Sequence, residues 1–179
     1  PQAPVDPLFV ERFSPRAFDL QPLDPGTVER LVEAARWSPS AYNEQPWRFV
    51  VADAEPGLST LRGLLGEWNQ AWASRAPVLL FVVARRHFER NGKPNRWAGF
   101  DAGAAWMSLA LQARMLGLYT HAMGGFDVEA AAEVLGLSLD EHDILAAVAV
   151  GRMGSAEGLP EDIAALEAGG PSGRRAVEE

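Results

Sequence analysis

Residues 99 to 116 carry apolar side chains almost all the way round a helical projection. Phe100, Ala104, Ala105, Met107, Leu109, Ala110, Leu111 and Met115 leave no continuous polar face. Such a helix needs cover on every side, because none of its flanks suits water. In a chain of 179 residues, the size of one ordinary domain, full cover implies a central core helix that a second subunit can share. Gly117 provides its natural stop.

The other segments supply the cover. Val28, Leu31, Val32 and Ala35 recur at helical spacing, predicting an amphipathic helix over 26–37 with Asp24 as its N-cap and Pro25 at its start. Pro39 ends it. Trp47, Phe49 and Val51 alternate as in a strand. Residues 57–75 read as a helix in two pieces, broken near Gly66. Val78 to Ala84 is an unbroken apolar run, as in a strand buried on both faces. Arg85 to Arg96, with Gly92 and Pro94, reads as a mobile polar loop. Leu118 to Met123 forms a short strand leading into Gly124-Gly125, Asp127 caps a helix over 128–135, and Ile144 to Val150 is another buried strand. Beyond Gly151 periodicity fades. Isolated strands with helices of unequal length argue for an α+β fold, 1–179 being a single domain, rather than regular βαβ winding.

Charge and composition narrow the function. Sixteen basic residues against 24 acidic ones give a net charge of -8, which disfavours nucleic acid and anionic membranes as general partners. Lys93 is the only lysine. The remaining cations are arginines, the side chain best shaped for bidentate phosphate contacts. The absence of cysteine removes thiolate chemistry and disulfides and fits a reducing cytoplasm. Pro1 to Pro15 lacks the pattern of a signal peptide. The longest apolar stretch, Phe100 to Leu118, is interrupted by Asp101, Gln112 and Arg114, so no membrane span is expected. His87, His121 and His142 fall in different elements without ligand-like spacing, so no metal site is expected.

Two strings carry chemistry. In Arg12-Phe13-Ser14-Pro15-Arg16, two arginines and a hydroxyl alternate, so an extended backbone puts Arg12, Ser14 and Arg16 on one side, able to converge on an anion. The bland alternative is a solvated basic arm. Ser38-Pro39-Ser40-Ala41-Tyr42-Asn43-Glu44-Gln45-Pro46-Trp47 gathers hydroxyls and amides between a helix end and a strand. Amides can read a heterocycle's edge, although Ser, Pro and Asn also serve ordinary turns. Arg85, Arg86, Arg90, Lys93 and Arg96 read as solvated surface, with the phosphate of a dinucleotide as the alternative. Core packing is the default for Trp97 and Phe100, and stacking on an aromatic substrate the alternative. No Gly-x-Gly-x-x-Gly occurs, which disfavours a Rossmann domain.

Taken together, Arg12 to Phe18, Leu31 to Trp37 and Ser38 to Phe49 resemble the N-terminal signature of the nitroreductase family. The likeness continues through Asn69-Gln70 before Ala76-Pro77, Asp101-Ala102-Gly103, Gly117-Leu118, Gly124-Gly125, Val150-Gly151 and Arg174-Arg175. The resemblance implies a three-layer α-β-α sandwich with a central mixed sheet, in an intertwined homodimer that binds flavin mononucleotide (FMN) at the subunit interface. It implies hydride transfer from NAD(P)H through flavin N5 to small aromatic acceptors such as nitroaromatics and quinones, by a ping-pong mechanism. It places Arg12, Ser14 and Arg16 on the FMN phosphate and ribityl chain, with main chain from Phe13, and Arg174 or Arg175 closing on the phosphate. Asn69 then reaches the pyrimidine edge, and Met123, Gly124 and Gly125 run beside the ring near N5. Pro39, Ser40, Ala41, Asn43 and Gln45 reach the same flavin from the other subunit. His121 precedes the Gly-Gly segment and reads first as a satisfied structural histidine. One departure stands out: Trp72 occupies a position where many relatives carry a lysine near flavin N1. A specialised relative on this fold, such as a dehalogenase or flavin-fragmenting enzyme, and a non-catalytic FMN storage or sensing protein are the competing readings.

Overall fold

Strand β2 (Val78–Arg85) is the spine of the protein, every residue but the last being buried. The computed structural model describes residues 1–176. β2 lies between β1 (Trp47–Ala52) and β4 (His142–Gly151), and β3 (Tyr119–Met123) completes a four-stranded sheet in the order β1-β2-β4-β3. All three pairings are antiparallel. The α+β class and the three layers hold, but among the described residues the sheet is not mixed. Parallel and antiparallel strands that are buried on both faces carry the same apolar run, so strand direction left no trace in the pattern.

The period of two along β2 sends its side chains to two separate cores. Leu79, Phe81 and Val83 meet Leu58 and Leu61 of α3 (Gly57–Gly63), Trp72 of α4 (Glu67–Ala73), Ala131 of α6 (Val128–Leu135) and Ile163 of α7 (Glu161–Ala168). Val78, Leu80, Val82 and Ala84 meet Leu31 and Ala35 of α2 (Thr27–Arg36) and Ala102, Ala105 and Leu109 of α5 (Ala98–Met115). Each fully buried Leu or Phe contributes about 1.5–3 kcal/mol relative to exposure.

Several expectations are corrected. α2 begins one residue late and its N-cap moves from Asp24 to Gly26, at φ 76°, while the Asp24 carboxylate pairs with Arg152 at 3.3 Å. The tail beyond Gly151 contains α7, whose one buried residue, Ile163, is too little for a periodic signal. Trp97 and Phe100 are not core: Phe100 is 76% exposed. It leads a stripe on α5, continuing through the exposed Gly103 and the half-buried Met107 and Leu111, that no part of the same chain fully covers. The cover this helix demands is supplied on one side only. No helix among the described residues is long and apolar enough to cross a membrane.

The N-terminal arm, which carries the short helix α1 (Pro7–Glu11), is fastened to the segment after β4. Phe18 bridges Met153, Asp19 N–H donates to Arg152 O at 3.0 Å, and Gly154 N–H donates to Ala17 O at 2.9 Å. A Cβ at Gly154 would lie 2.5 Å from the Phe18 backbone, so this close crossing requires glycine. The crossing sets where residues 12–16 run.

Candidate functional site

From the Phe18 crossing the arm passes along the α4 side of edge strand β3. Its path is fixed by two hydrogen bonds. His121 Nδ1 lies 2.9 Å from Pro15 O, and since a carbonyl only accepts, Nδ1 carries the proton. Arg16 N–H donates to Glu167 Oε2 at 2.7 Å. Between the arm, β3 and the end of α7 lies a cavity of about 230 Å³, lined by Arg12, Ser14, Arg16, His121, Glu167 and Arg174 among others, with Phe13 in its wall.

The electrostatics of this cavity are unbalanced. Arg12 and Arg174 approach each other. Burial, and then the charge of Arg174, pulls the Arg12 guanidinium below its usual pKa. Among the described residues no carboxylate forms an ion pair with Arg12, Arg16 or Arg174. Arg16 stacks over the Trp68 ring, 5.2 Å from guanidinium carbon to centroid, and its Nε is buried with no hydrogen-bond partner. Orphaned buried donors are uncommon and costly. Three guanidiniums around a cavity whose lining holds one carboxylate, Glu167, leave an excess of positive charge that suits an anion whose oxygens accept in pairs. Arg174 lines this cavity. Arg175 faces only the neighbouring groove.

A second cluster lies further along the same face. Asn69, buried on α4, donates from Nδ2 to Gly125 O at 2.9 Å, and Gly66 N–H donates to the same carbonyl at 2.9 Å. A Cβ on Gly125 would sit 2.8 Å from Asn69 Nδ2, so any larger residue would push the Asn69 amide off the Gly125 carbonyl. With its amide nitrogen committed, Asn69 keeps Oδ1 as an acceptor. Met123 is buried, whereas Gly124 and Gly125 are exposed. His121 joins the two clusters: it is two residues before Met123, hence on the same strand face and about 7 Å along the strand. Its ring packs 4.4 Å from that of Trp72. Burial, reinforced by the Arg16 charge, lowers the His121 pKa below the ordinary imidazole value, against an opposing contribution from its bond to Pro15 O. Trp72 is fully buried and also stacks on Phe18, so it belongs to the core.

The third group, Pro39, Ser40, Ala41, Asn43 and Gln45, is elsewhere. It lies in the turn before β1, around a 3₁₀ turn at Ala41–Asn43. Three non-glycine residues there have positive φ: Tyr42 and Asn43 at 57° and Gln45 at 50°. Each such conformation costs of order 1 kcal/mol and survives only where the surroundings enforce it. Enforcement comes from Ala41 N–H donating to the buried Asp101 Oδ2 at 3.0 Å, Gln45 N–H to Ser40 Oγ at 3.0 Å, and Ser38 Oγ at 2.7 Å from Ser108 Oγ. These contacts tie the turn to α5, on the opposite face of the sheet from Asn69. It also leads into β1, the far edge from β3, three strand spacings or about 14 Å away. Within one chain this group therefore does not reach the other two.

Glu167 was missed by sequence reasoning, and Asp101 was named there without its role as the anchor of the turn. A carboxylate inside an arginine pocket has no sequence signal, and Asp101 showed as a polar interruption of an apolar helix and as part of the Asp101-Ala102-Gly103 likeness, neither of which points to the turn at residues 40–45. The basic loop is engaged locally. Arg85 pairs with Glu89 at 3.2 Å, Arg86 with Asp143 at 3.4 Å, and Arg90 lies 4.1 Å over the Tyr42 ring. It is also tied back on itself, by Phe88 N–H to Lys93 O at 2.8 Å.

Comparison with known proteins gives a consistent result. The sequence profile described as the Nitroreductase family matches residues 10–64 and 62–152. A protein of Thermus thermophilus named NADH dehydrogenase is 29% identical over 189 aligned positions, covering 88% of this chain and 90% of that one. A crystal structure described as an oxidoreductase containing FMN superposes with a TM-score of 0.93 at 43% identity, covering 99% of this chain and 90% of that one. A nitroreductase family protein from Streptococcus pneumoniae shares the fold, with a TM-score of 0.75 at 21% identity over 96% of both chains.

Proposed function

The chain belongs to the nitroreductase family, and from that premise we propose that it is an FMN-dependent NAD(P)H oxidoreductase whose two flavin sites lie between the subunits of a homodimer. The observation that carries this reading is the convergence of Arg12, Arg16 and Arg174 on one cavity without a carboxylate ion pair, on the same face as the Asn69–Gly125 cluster. The orphaned Arg16 Nε and the close Gly125 backbone suit a phosphate at one end and a flat ring at the other. The FMN described in the structure 43% identical to this chain supports the same ligand.

On this reading Arg12, Ser14, Arg16 and Arg174 bind the phosphate, and Phe13 lends main chain. His121 flanks the ribityl chain, and the Trp72 ring keeps it in place. Asn69 Oδ1 accepts from the pyrimidine edge. Gly124 and Gly125 let main chain approach the ring, where a backbone N–H can steady added electron density. When bound, FMN supplies hydride transfer through N5, from a nicotinamide to an acceptor that later occupies the same space. No nucleophile or metal is demanded of the protein. Nitroaromatics and quinones, planar molecules able to stack on a bound flavin ring, are the acceptors expected on this reading.

The dimer is inferred from two facts. Pro39, Ser40, Ala41, Asn43 and Gln45 lie out of reach of Asn69 in their own chain, and α5 presents an apolar stripe from Phe100 to Leu111 that needs cover. A second copy meets both needs. The test is a visible spectrum of the purified protein under anaerobic conditions. Bands of oxidised flavin that bleach on adding NADH or NADPH are expected. Bound flavin inert to both would favour storage, and a protein that stays colourless after incubation with FMN would refute the reading.

A further inference from the structure

The loop of residues 85–96, between β2 and α5, holds five of the chain's 16 cations and one of its 24 acidic residues, Glu89. Arg85 is paired with Glu89 and Arg86 with Asp143, but among the described residues Arg90, Lys93 and Arg96 form no ion pair. All three are exposed. The Glu44 carboxylate beside the loop accepts from Glu89 N–H and pairs with none of them. Arg90 lies 4.1 Å over the Tyr42 ring and 5.3 Å from that of the buried Phe88, and Arg96 lies 4.3 Å over the Trp97 ring. Tyr42 and Trp97 are themselves exposed. We propose that this loop makes NADPH rather than NADH the preferred hydride donor, with Arg90, Lys93 and Arg96 taking up the 2′-phosphate beside an adenine laid against the exposed rings. The inference rests on the dimeric flavin reading above.

Position is the first argument. The loop packs on the turn of residues 38–46, through Arg85 N–H donating to Pro46 O at 2.9 Å and through the Tyr42 and Phe88 rings, 5.9 Å apart. Tyr42 adjoins Asn43, so where the turn reaches the partner's flavin, the loop stands at the rim of that site, on the path of a donor's nucleotide half. The loop is also set in shape before any ligand arrives. Phe88 N–H donates to Lys93 O at 2.8 Å and Asn95 N–H to Arg86 O at 2.7 Å, so little ordering remains to oppose binding. Stacking leaves the donors free: a guanidinium held against a ring by cation–π attraction keeps its in-plane N–H groups for a phosphate. Charge then selects the donor. NADH and NADPH share a pyrophosphate and differ by one phosphate monoester, which carries about 1.5–2 negative charges. In a protein of net charge -8, whose overall field repels both, three cations without carboxylate partners give the more anionic donor a local advantage. Exposed aromatic rings suit the adenine because every base offers a π-face.

The test is steady-state kinetics of the FMN-loaded protein with NADPH and with NADH, menadione being the acceptor, on wild type and on a variant carrying Arg90→Gln and Lys93→Gln. In wild type kcat/KM should be about tenfold or more higher for NADPH, the effect of one charge-assisted phosphate contact. The variant should lower that ratio by about fivefold or more, chiefly by raising KM for NADPH. Calorimetric titration of the FMN-loaded wild type gives a readout without turnover, and it serves if the variant does not fold. There 2′-AMP, which carries the distinguishing phosphate, should bind about tenfold or more tightly than 5′-AMP. Equal kcat/KM for the two donors, an unchanged ratio in the folded variant, or equal binding of the two monophosphates would overturn the proposal. A defect that appears only with an anionic acceptor, anthraquinone-2-sulfonate, would also overturn it and assign the loop to the acceptor. Flavin reduced equally well by both donors would leave the oxidoreductase reading intact, whereas flavin that neither donor reduces would overturn that reading and the proposal together.

Discussion

The arm of residues 12–16 and the turn of residues 38–46 solve opposite problems. The arm is extended and fastened at a few backbone points, and around its cavity the guanidiniums of Arg12, Arg16 and Arg174 form no ion pair among the described residues, with Glu167 the single carboxylate in the lining. The turn is strained at Tyr42, Asn43 and Gln45, and most of its backbone donors, those of Ser38, Ala41, Asn43, Glu44 and Gln45, are engaged by its own chain. The first region carries excess positive charge, and on the flavin reading it would gain stability from a bound phosphate. The second is locally complete but points away from the rest of the site. Affinity for the cofactor should therefore reside mainly in the arm, and geometry and dependence on the dimer in the turn.

Removing the charges should produce the largest effect. Arg12→Ala with Arg16→Ala takes away two charged phosphate partners at about 1.5–3 kcal/mol each, which is roughly two to four decades of FMN affinity. The purified double variant should be colourless, and one that stays yellow at full occupancy would break the comparison. Asp101→Ala probes the other region. It orphans Ala41 N–H at a cost of about 1–3 kcal/mol, so the melting temperature should fall by roughly 2–12 °C and flavin affinity should fall with it. A variant that melts like wild type would show that the turn holds its strained form without the aspartate. Asn43→Ala should weaken FMN about tenfold, the value of one hydrogen bond to a ligand, while the flavin-free protein loses only about 1 kcal/mol, because alanine takes φ 57° less readily than asparagine. An unchanged FMN affinity would take Asn43 out of the site.

The smallest effect concerns His121, whose pKa is lowered in the folded protein chiefly by burial. The group stays neutral when folded and gains a proton more readily when unfolded. Its contribution to stability is thus complete above the ordinary imidazole pKa of 6.5 and is lost as pH falls from there through the depressed folded value. Melting temperatures of the flavin-free protein should drop between about pH 7 and pH 5, and the drop should be shallower in His121→Gln. A bound phosphate would favour the charged imidazole and also flatten the profile. Identical pH profiles for wild type and variant would show that His121 does not titrate with folding.

The two regions were not equally legible in the sequence. Alternation at Arg12, Ser14 and Arg16 already put three polar groups on one side of an extended segment, and the structure places all three around one cavity. The turn was visible as a dense polar string. Its strain was not, because positive φ at Tyr42 and Gln45 follows from long-range anchors such as Asp101 rather than from local propensity. The helices and strands up to β4 came from apolar periodicity, which reports burial directly. α7 escaped because Ile163 alone is buried, and Glu167 with it, since a carboxylate that accepts from a backbone N–H looks like any surface glutamate. Strand direction escaped because both faces of β2 and much of β4 are buried. Trp72, ambiguous by residue type, is resolved by its place between Phe18 and His121.

The central claim is that each flavin site is built from both chains, and hybrid dimers test it most directly. A chain carrying Arg12→Ala and Arg16→Ala is mixed with one carrying Ser40→Ala and Asn43→Ala, at an FMN concentration where neither binds alone. Subunits are then exchanged, and native mass spectrometry verifies the hybrids. If the sites are shared, each hybrid has one site with both lesions and one site with none, so flavin binding should recover to about a quarter of wild-type capacity. Hybrids that form in full yet bind no flavin would contradict the claim and place the whole site within a single chain.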